Sequence, residues 1–292
     1  MKKIIYDHGL PFSECLGVNY DDLHKRIENN KASLCIIDGA VGEGKTTALI
    51  QGIDYFNKLN GLPEYDIKEG TQLAMGGSDF LRKLEECFIN KLPVIAYDEA
   101  GDFNRRGSLT QFNAMLNRTF ETFRAFKIMV LVGVPNFAVL DQQLFDNQIP
   151  RMLLHLSNRT ENQGNFSGYS LYGMLQMKAV MKKLTVKSYA YKLIHPNFKG
   201  HFLDLEPQRS KTLDLVSMKS KIDILRKSEA KVEGLMNYPE LGRKLNRSIV
   251  WVKKVVSKLK LKPIRTINRA KYFNQEQLAQ ITECMEEARE GK

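Results

Sequence analysis

The chain of 292 residues has only four cysteines, Cys15, Cys35, Cys87 and Cys284, and no two of them form a CxxC pair. That scarcity offers neither a zinc pattern nor a disulfide framework, and it suits a reducing compartment. Long apolar runs are also missing. The longest, Ile128 to Val134, is strand-sized, far short of the roughly 20 residues that span a bilayer. Met1-Lys2-Lys3 leads into Asp7 and His8 rather than an apolar export segment. The expectation is a cytoplasmic protein with no membrane partner. Acid is scarce in one place: between Tyr238 and Phe273, eleven Lys or Arg stand against one acid, Glu240, a local balance of +10 in a chain whose total is +11. A basic excess this concentrated points to a polyanionic partner.

What is present is an ordinary globular composition, 43% hydrophobic and 26% charged, with enough length for an α/β domain of about 200 residues and a smaller module. Residues 20–29 have helical spacing, and Ser33 to Asp38 is a near-continuous apolar run suited to a buried parallel strand. Helical patterns follow at Thr46 to Lys58 and at Ser78, a candidate N-cap, to Asn90. Val94 to Asp98 and Phe126 to Val134 read as further strands, with Leu109 to Phe123 and Val139 to Asn147 as helices. Met152 to Leu156 reads as another strand, and Gly164 to His201 as irregular or β-like. Strands alternating with helices predict a mostly parallel sheet with helices on both faces. The expected division is an α/β domain over 1–205, a helical linker over 206–235 and a basic module over 236–292.

Residues 39 to 47 read Gly-Ala-Val-Gly-Glu-Gly-Lys-Thr-Thr and match G-x-x-x-x-G-K-[ST] at every position, between a predicted strand and a predicted helix. Glycines here let backbone N–H groups wrap phosphates. The loop Gly39, Ala40, Val41, Gly42, Glu43, Gly44, Lys45, Thr46 and Thr47 is therefore the expected ATP-binding segment, with Lys45 reaching the β and γ oxygens. Thr46 would hold Mg2+ from one side. The metal needs a second holder, and Asp98, ending the run Val94-Ile-Ala-Tyr-Asp, has that form. Glu99 is then placed to orient or deprotonate an attacking water, which argues for hydrolysis over phosphate transfer.

These residues resemble the additional-strand, catalytic-glutamate class of P-loop ATPases, which includes AAA+ proteins, FtsK and HerA-like DNA pumps and viral packaging ATPases. The resemblance covers about Ser33 to Arg159. The order Asp98-Glu-Ala-Gly, a strand, Val134-Pro-Asn-Phe, Leu140-Asp141 and an Arg-bearing strand is similar to HerA-like, zonula occludens toxin-like and packaging enzymes. It implies a RecA-like parallel sheet between helices, a strand inserted between the two motif strands, a polar sensor at Asn136, and an arginine supplied by a neighbouring subunit. Arg151 and Arg159 are the candidates for that arginine, with Arg105 and Arg106 behind them. A homo-oligomer, a ring among the options, and a viral or mobile-element origin follow from the resemblance alone, with the host cytoplasm as location if viral.

In the basic module, Tyr238-Pro239 opens a short helix to Asn246, Arg247-Ser248 reads as turn and cap, and Ile249 to Leu261 places Val252, Val255, Val256 and Leu259 on one face. Pro263 ends that helix, Ile264 to Phe273 has the length of a hairpin wing, and Asn274 caps a last helix to about Arg289. The whole resembles a winged helix-turn-helix. Its expected double-stranded DNA contacts are Arg243, Lys244, Arg247, Ser248, Lys253, Lys254, Lys258, Arg265, Arg269 and Lys271, with Trp251 divided between base contact and core.

The function expected is a DNA-associated ATPase coupling hydrolysis to translocation, packaging or remodelling. The alternative is a nucleotide-gated DNA-binding regulator, or a replication or transposition loader in which ATP controls assembly. A small-molecule kinase fits less well, because a +10 module has no use there.

Overall fold

The computed structural model describes residues 9–31, 33–75, 77–98, 127–160, 162–232, 235–267 and 270–290. Two compact units divide the chain, 1–216 and 217–292.

The first unit is an α/β fold around a seven-stranded sheet. Its strands are β1 (Leu34–Asp38), β2 (Leu73–Ala74), β3 (Val94–Asp98), β4 (Met129–Val134), β5 (Pro150–Ser157), β6 (Gln163–Ser170) and β7 (Phe198–Leu203). They lie in the order β2-β3-β4-β1-β5-β6-β7. The first five run parallel, while β6 and β7 extend the sheet antiparallel. All five residues of β1 and of β3 are buried, as expected of strands covered on both faces, whose sequences read as continuous apolar runs. Alternate residues serve opposite cores. Leu34, Ile36, Ile95, Tyr97, Val130 and Val132 face one; Cys35, Ile37, Val94, Ala96, Met129 and Leu131 face the other.

Helices cover both faces. On the second core lie α1 (Glu14–Glu28) and α2 (Lys45–Leu59), the latter burying Leu49, Ile50, Ile53 and Phe56 at helical spacing. Each such side chain contributes about 1.5–3 kcal/mol of burial. The first core is closed by α3 (Gly77–Ile89) through Phe80, Leu84 and Cys87, by α4 (Gln142–Asp146) through Leu144 and Phe145, and by α5 (Leu171–Met181) and α6 (Ala190–Leu193). The helix α7 (Pro207–Val232) begins in this unit and crosses the division.

Several sequence expectations are corrected. The first helix starts at Glu14, six residues before Tyr20, because Leu16 and Tyr20 are already buried beneath it. The stretch 139–147 is not one helix: Asn136 caps a 3-10 turn over Phe137–Val139, Leu140 is extended, and Asp141 caps α4. Gly164 to His201 is β at its two ends, in β6 and β7, as the β-like reading had it, but it carries the helices α5 and α6 between them. The helix expected at 109–123 lies outside the described residues.

The second unit holds a small sheet of β8 (Met236–Asn237), β9 (Arg265–Ile267) and β10 (Ala270–Phe273), in the order β8-β10-β9, all pairings antiparallel. Between β8 and β9 lie α8 (Tyr238–Lys244) and α9 (Ile249–Lys258); α10 (Gln275–Glu290) follows. Local chemistry sets each start. Asn237 and Glu240 form a reciprocal capping box with Pro239 in the first turn, Ser248 accepts from the Trp251 N–H, and Asn274 and Gln277 form a second reciprocal pair. The core is Leu241, Val252, Val255, Val256, Phe273 and Ile281.

Candidate nucleotide site and basic surface

The loop 39–44 leaves the C-terminal end of β1 and enters α2. Gly39, Gly42 and Gly44 have φ of +151°, +92° and +89°, values that side chains disfavour. At Gly39 a Cβ would also stand 2.8 Å from the Leu156 carbonyl oxygen. Glycine is thus required at Gly39 twice over, by conformation and by close approach. The Lys45 ammonium donates to the carbonyl oxygens of Gly39 at 2.7 Å and Ala40 at 2.8 Å. It lies over the loop that would hold the phosphates.

The β1–β4–β3 order puts Asp98 at the same edge of the sheet as the loop, with β4 between the two motif strands. Asp98 is almost fully buried, and Thr46 donates its hydroxyl to Asp98 Oδ2 at 2.5 Å. Two residues 52 positions apart thus present a hydroxyl and a carboxylate at one point. Hard oxygen donors of this kind suit Mg2+, so the pair fits the ion. Glu99, Arg105 and Arg106 lie outside the described residues.

The other predicted residues fall as follows. Asn136 stands just beyond β4, and its side-chain oxygen accepts from the Ala138 N–H. Arg151 lies near the start of β5, where Pro150 pairs with Leu34 at the far end of β1 from the loop. Its own loop is therefore about 13 Å away along the strand at 3.3 Å per residue. Burial and nearby Arg26 lower the pKa of that guanidinium. Arg159, beyond the end of β5, sits against its own phosphate loop: its N–H donates to Glu43 Oε2 at 3.0 Å, and its guanidinium pairs with Asp204.

Sequence reasoning missed a buried cluster immediately before the loop. Asp38, fully buried, accepts from the Phe137 N–H at 3.0 Å, meets His155 Nδ1 at 2.8 Å and accepts from the Tyr191 hydroxyl. The His155 and Tyr191 rings stack at 3.6 Å. Burial, and then the Asp38 carboxylate, push the Tyr191 hydroxyl far above its ordinary pKa, so it remains a donor. This network ties the start of the phosphate loop to β5, to α6 and to the turn after Asn136. Its only signal in the sequence is an acid ending a strand that is otherwise apolar. Asp38→Ala strands the buried Phe137 N–H and removes the partner of the half-buried His155 and Tyr191, at about 1–3 kcal/mol for an uncompensated buried group. A urea melt should show a loss of about 2 kcal/mol or more; a loss under about 1 kcal/mol would mean the network is dispensable.

In the second unit, Arg243, Lys244, Arg247, Ser248, Lys253, Lys254, Lys258 and Lys271 are exposed, whereas Arg265 is half-buried and Arg269 lies outside the described residues. The Ser248 hydroxyl is engaged in capping α9. Trp251 packs half-buried against the core, with the Arg247 guanidinium 5.5 Å from its ring centre. A groove of about 620 Å³, lined by Tyr238, Ile249, Lys253 and Lys271 among others, separates α9 from β10.

No protein-family model and no curated protein matches the chain. Among solved structures, the chain is similar to the N-terminal domain of zonular occludens toxin from Neisseria meningitidis, at 17% identity over 48% of this chain and 84% of that one, TM-score 0.29. It is also similar to a DNA replication initiation factor, at 14% identity over 86% and 71%, TM-score 0.31. A third is the replication initiator DnaA bound to AMPPCP and single-stranded DNA, at 14% identity over 84% and 70%, TM-score 0.28. Overlap at this level says nothing of what this chain binds. The P-loop fold rests on the strand order and the loop geometry above. Among the described residues, no helix is long and apolar enough to cross a membrane.

Proposed function

We propose that this chain is a Mg2+-dependent ATP hydrolase that acts on double-stranded DNA as a homo-oligomer, coupling turnover to translocation, packaging or remodelling. The observation that carries the reading is the Thr46–Asp98 contact beside Lys45, with Glu99 next in the chain.

In this reading the loop N–H groups and Lys45 bind the phosphates, while Thr46 and Asp98 hold the ion. When bound, the ion neutralises charge developing on the β and γ oxygens. Glu99 takes the proton of the attacking water, and Asn136 orients that water. The basic module is read as a winged helix-turn-helix over 236–292, with α9 as the helix entering the major groove and β9–β10 as the wing. Its exposed cations support phosphate contact.

Phosphate release from the full chain, measured at low salt with and without duplex DNA, tests this. DNA-stimulated release is expected. Negligible release in both conditions would sink the motor reading, and ATP-dependent DNA binding without turnover would favour the nucleotide-gated regulator.

A further inference from the structure

Arg159 lies against the chain's own phosphate loop, its backbone bonded to Glu43. Because β5 runs parallel to β1, the segment after β5 emerges at the same edge as the loop. Two hydrogen bonds then hold Arg159, and its guanidinium stands close against the loop. Its backbone N–H donates to Glu43 Oε2 at 3.0 Å, and Nη2 donates to Asp204 Oδ1. Nη1 lies 2.9 Å from the point a Cβ on Gly44 would occupy, one residue before Lys45. The partner is itself anchored, since the Asp204 N–H donates to the Asn162 carbonyl at 3.2 Å.

We propose that Arg159 is a phosphate-contacting residue of its own chain's nucleotide site, and that Asp204 holds its guanidinium in place until nucleotide displaces the carboxylate. This rests on the ATPase reading and deepens it by placing the arginine in cis.

The chemistry supports an exchange of partners. A guanidinium presents five donors in a planar fork that matches phosphate oxygens, and it stays charged throughout. The Asp204 side chain engages one of its nitrogens. The pair is open to solvent, with side chains 29% and 27% exposed, so the guanidinium can swing without opening the core. An incoming polyphosphate offers more negative charge than one carboxylate and two or more oxygens to the fork. Asp204 is therefore a competitor for Arg159 as well as its support.

This makes the two members of the ion pair act in opposite directions, which a structural clip would not do. Binding of a fluorescent ATP analogue to the full chain reads the effect directly, without turnover. Arg159→Ala should weaken binding about tenfold or more, and Arg159→Lys, which keeps the charge but not the fork, should fall between it and the parent. Asp204→Asn should tighten binding about threefold or more, the carboxylate's competition being removed. Equal weakening by Arg159→Ala and Asp204→Asn would overturn the proposal, as would parent-like binding by Arg159→Ala. An unmodified chain that binds no ATP would contradict the ATPase reading itself. Mixing Arg159→Ala chains with Lys45→Ala chains supplies a second arm. Restored turnover would mean that Arg159 serves a neighbour's site and would overturn the cis placement, whereas no restoration is expected.

Discussion

Lys45→Ala should lower ATP affinity about 100-fold while leaving the fold intact. The Lys45 ammonium is held by two carbonyl oxygens of its own loop, so the side chain is set above the place the phosphates would take. A charge-assisted hydrogen bond contributes about 1.5–3 kcal/mol, and 3 kcal/mol is a little over two orders of magnitude at about 1.4 kcal/mol per tenfold. Lys45 remains half-buried rather than buried, so its removal leaves no cavity in either core. Isothermal titration checks the affinity and a thermal melt checks the fold. Asp98→Ala is the informative partner. It removes the acceptor of the Thr46 hydroxyl and should abolish the Mg2+ dependence of binding while metal-free nucleotide binding persists. Equal loss of both would show that Asp98 supports the fold more than the ion.

Loss of residues 236–292 should remove at least about a thousandfold of duplex DNA affinity at low salt. The segment 238–273 carries a net +10, against +11 for the whole chain, and eight of its ten predicted contact residues are exposed. If about six cations each neutralise one phosphate, log K falls with log salt at a slope near −5, and the truncated chain loses that slope. Replacing Lys253, Lys254 and Lys258 by Glu in the full chain guards against misfolding. These three are exposed on α9, while Val252, Val255 and Val256 form its buried face, so the core is untouched and binding should still collapse. Retained salt-sensitive binding in both variants would place the DNA surface elsewhere.

The candidate phosphate loop and the helical module were legible in the sequence because their signals are local. β1 and β3 are continuous apolar runs, the glycines of 39–44 stand at fixed spacing, and Pro239 and the caps Ser248 and Asn274 sit at the starts of their helices. What stayed hidden depends on tertiary partners. α5 buries Gly173, Met174, Met177 and Met181, but apolar Leu171, Leu175 and Val180 surround that stripe, so no single face stands out in the pattern. β2 is two residues long and exists by pairing with β3. Asp38 meets partners 117 and 153 positions away, and Arg159 meets Asp204 across 45. No periodicity or motif spacing encodes such pairings, and they surround the most legible motif in the chain.

We propose that one site hydrolyses ATP in answer to DNA. The direct test is phosphate release by the unmodified chain and by Glu99→Gln, each with and without duplex DNA and with nucleotide binding measured alongside. The expected result is DNA-stimulated release in the unmodified chain, reduced at least about a hundredfold in Glu99→Gln with ATP binding retained. Release that ignores DNA, or that survives the substitution unchanged, would contradict it.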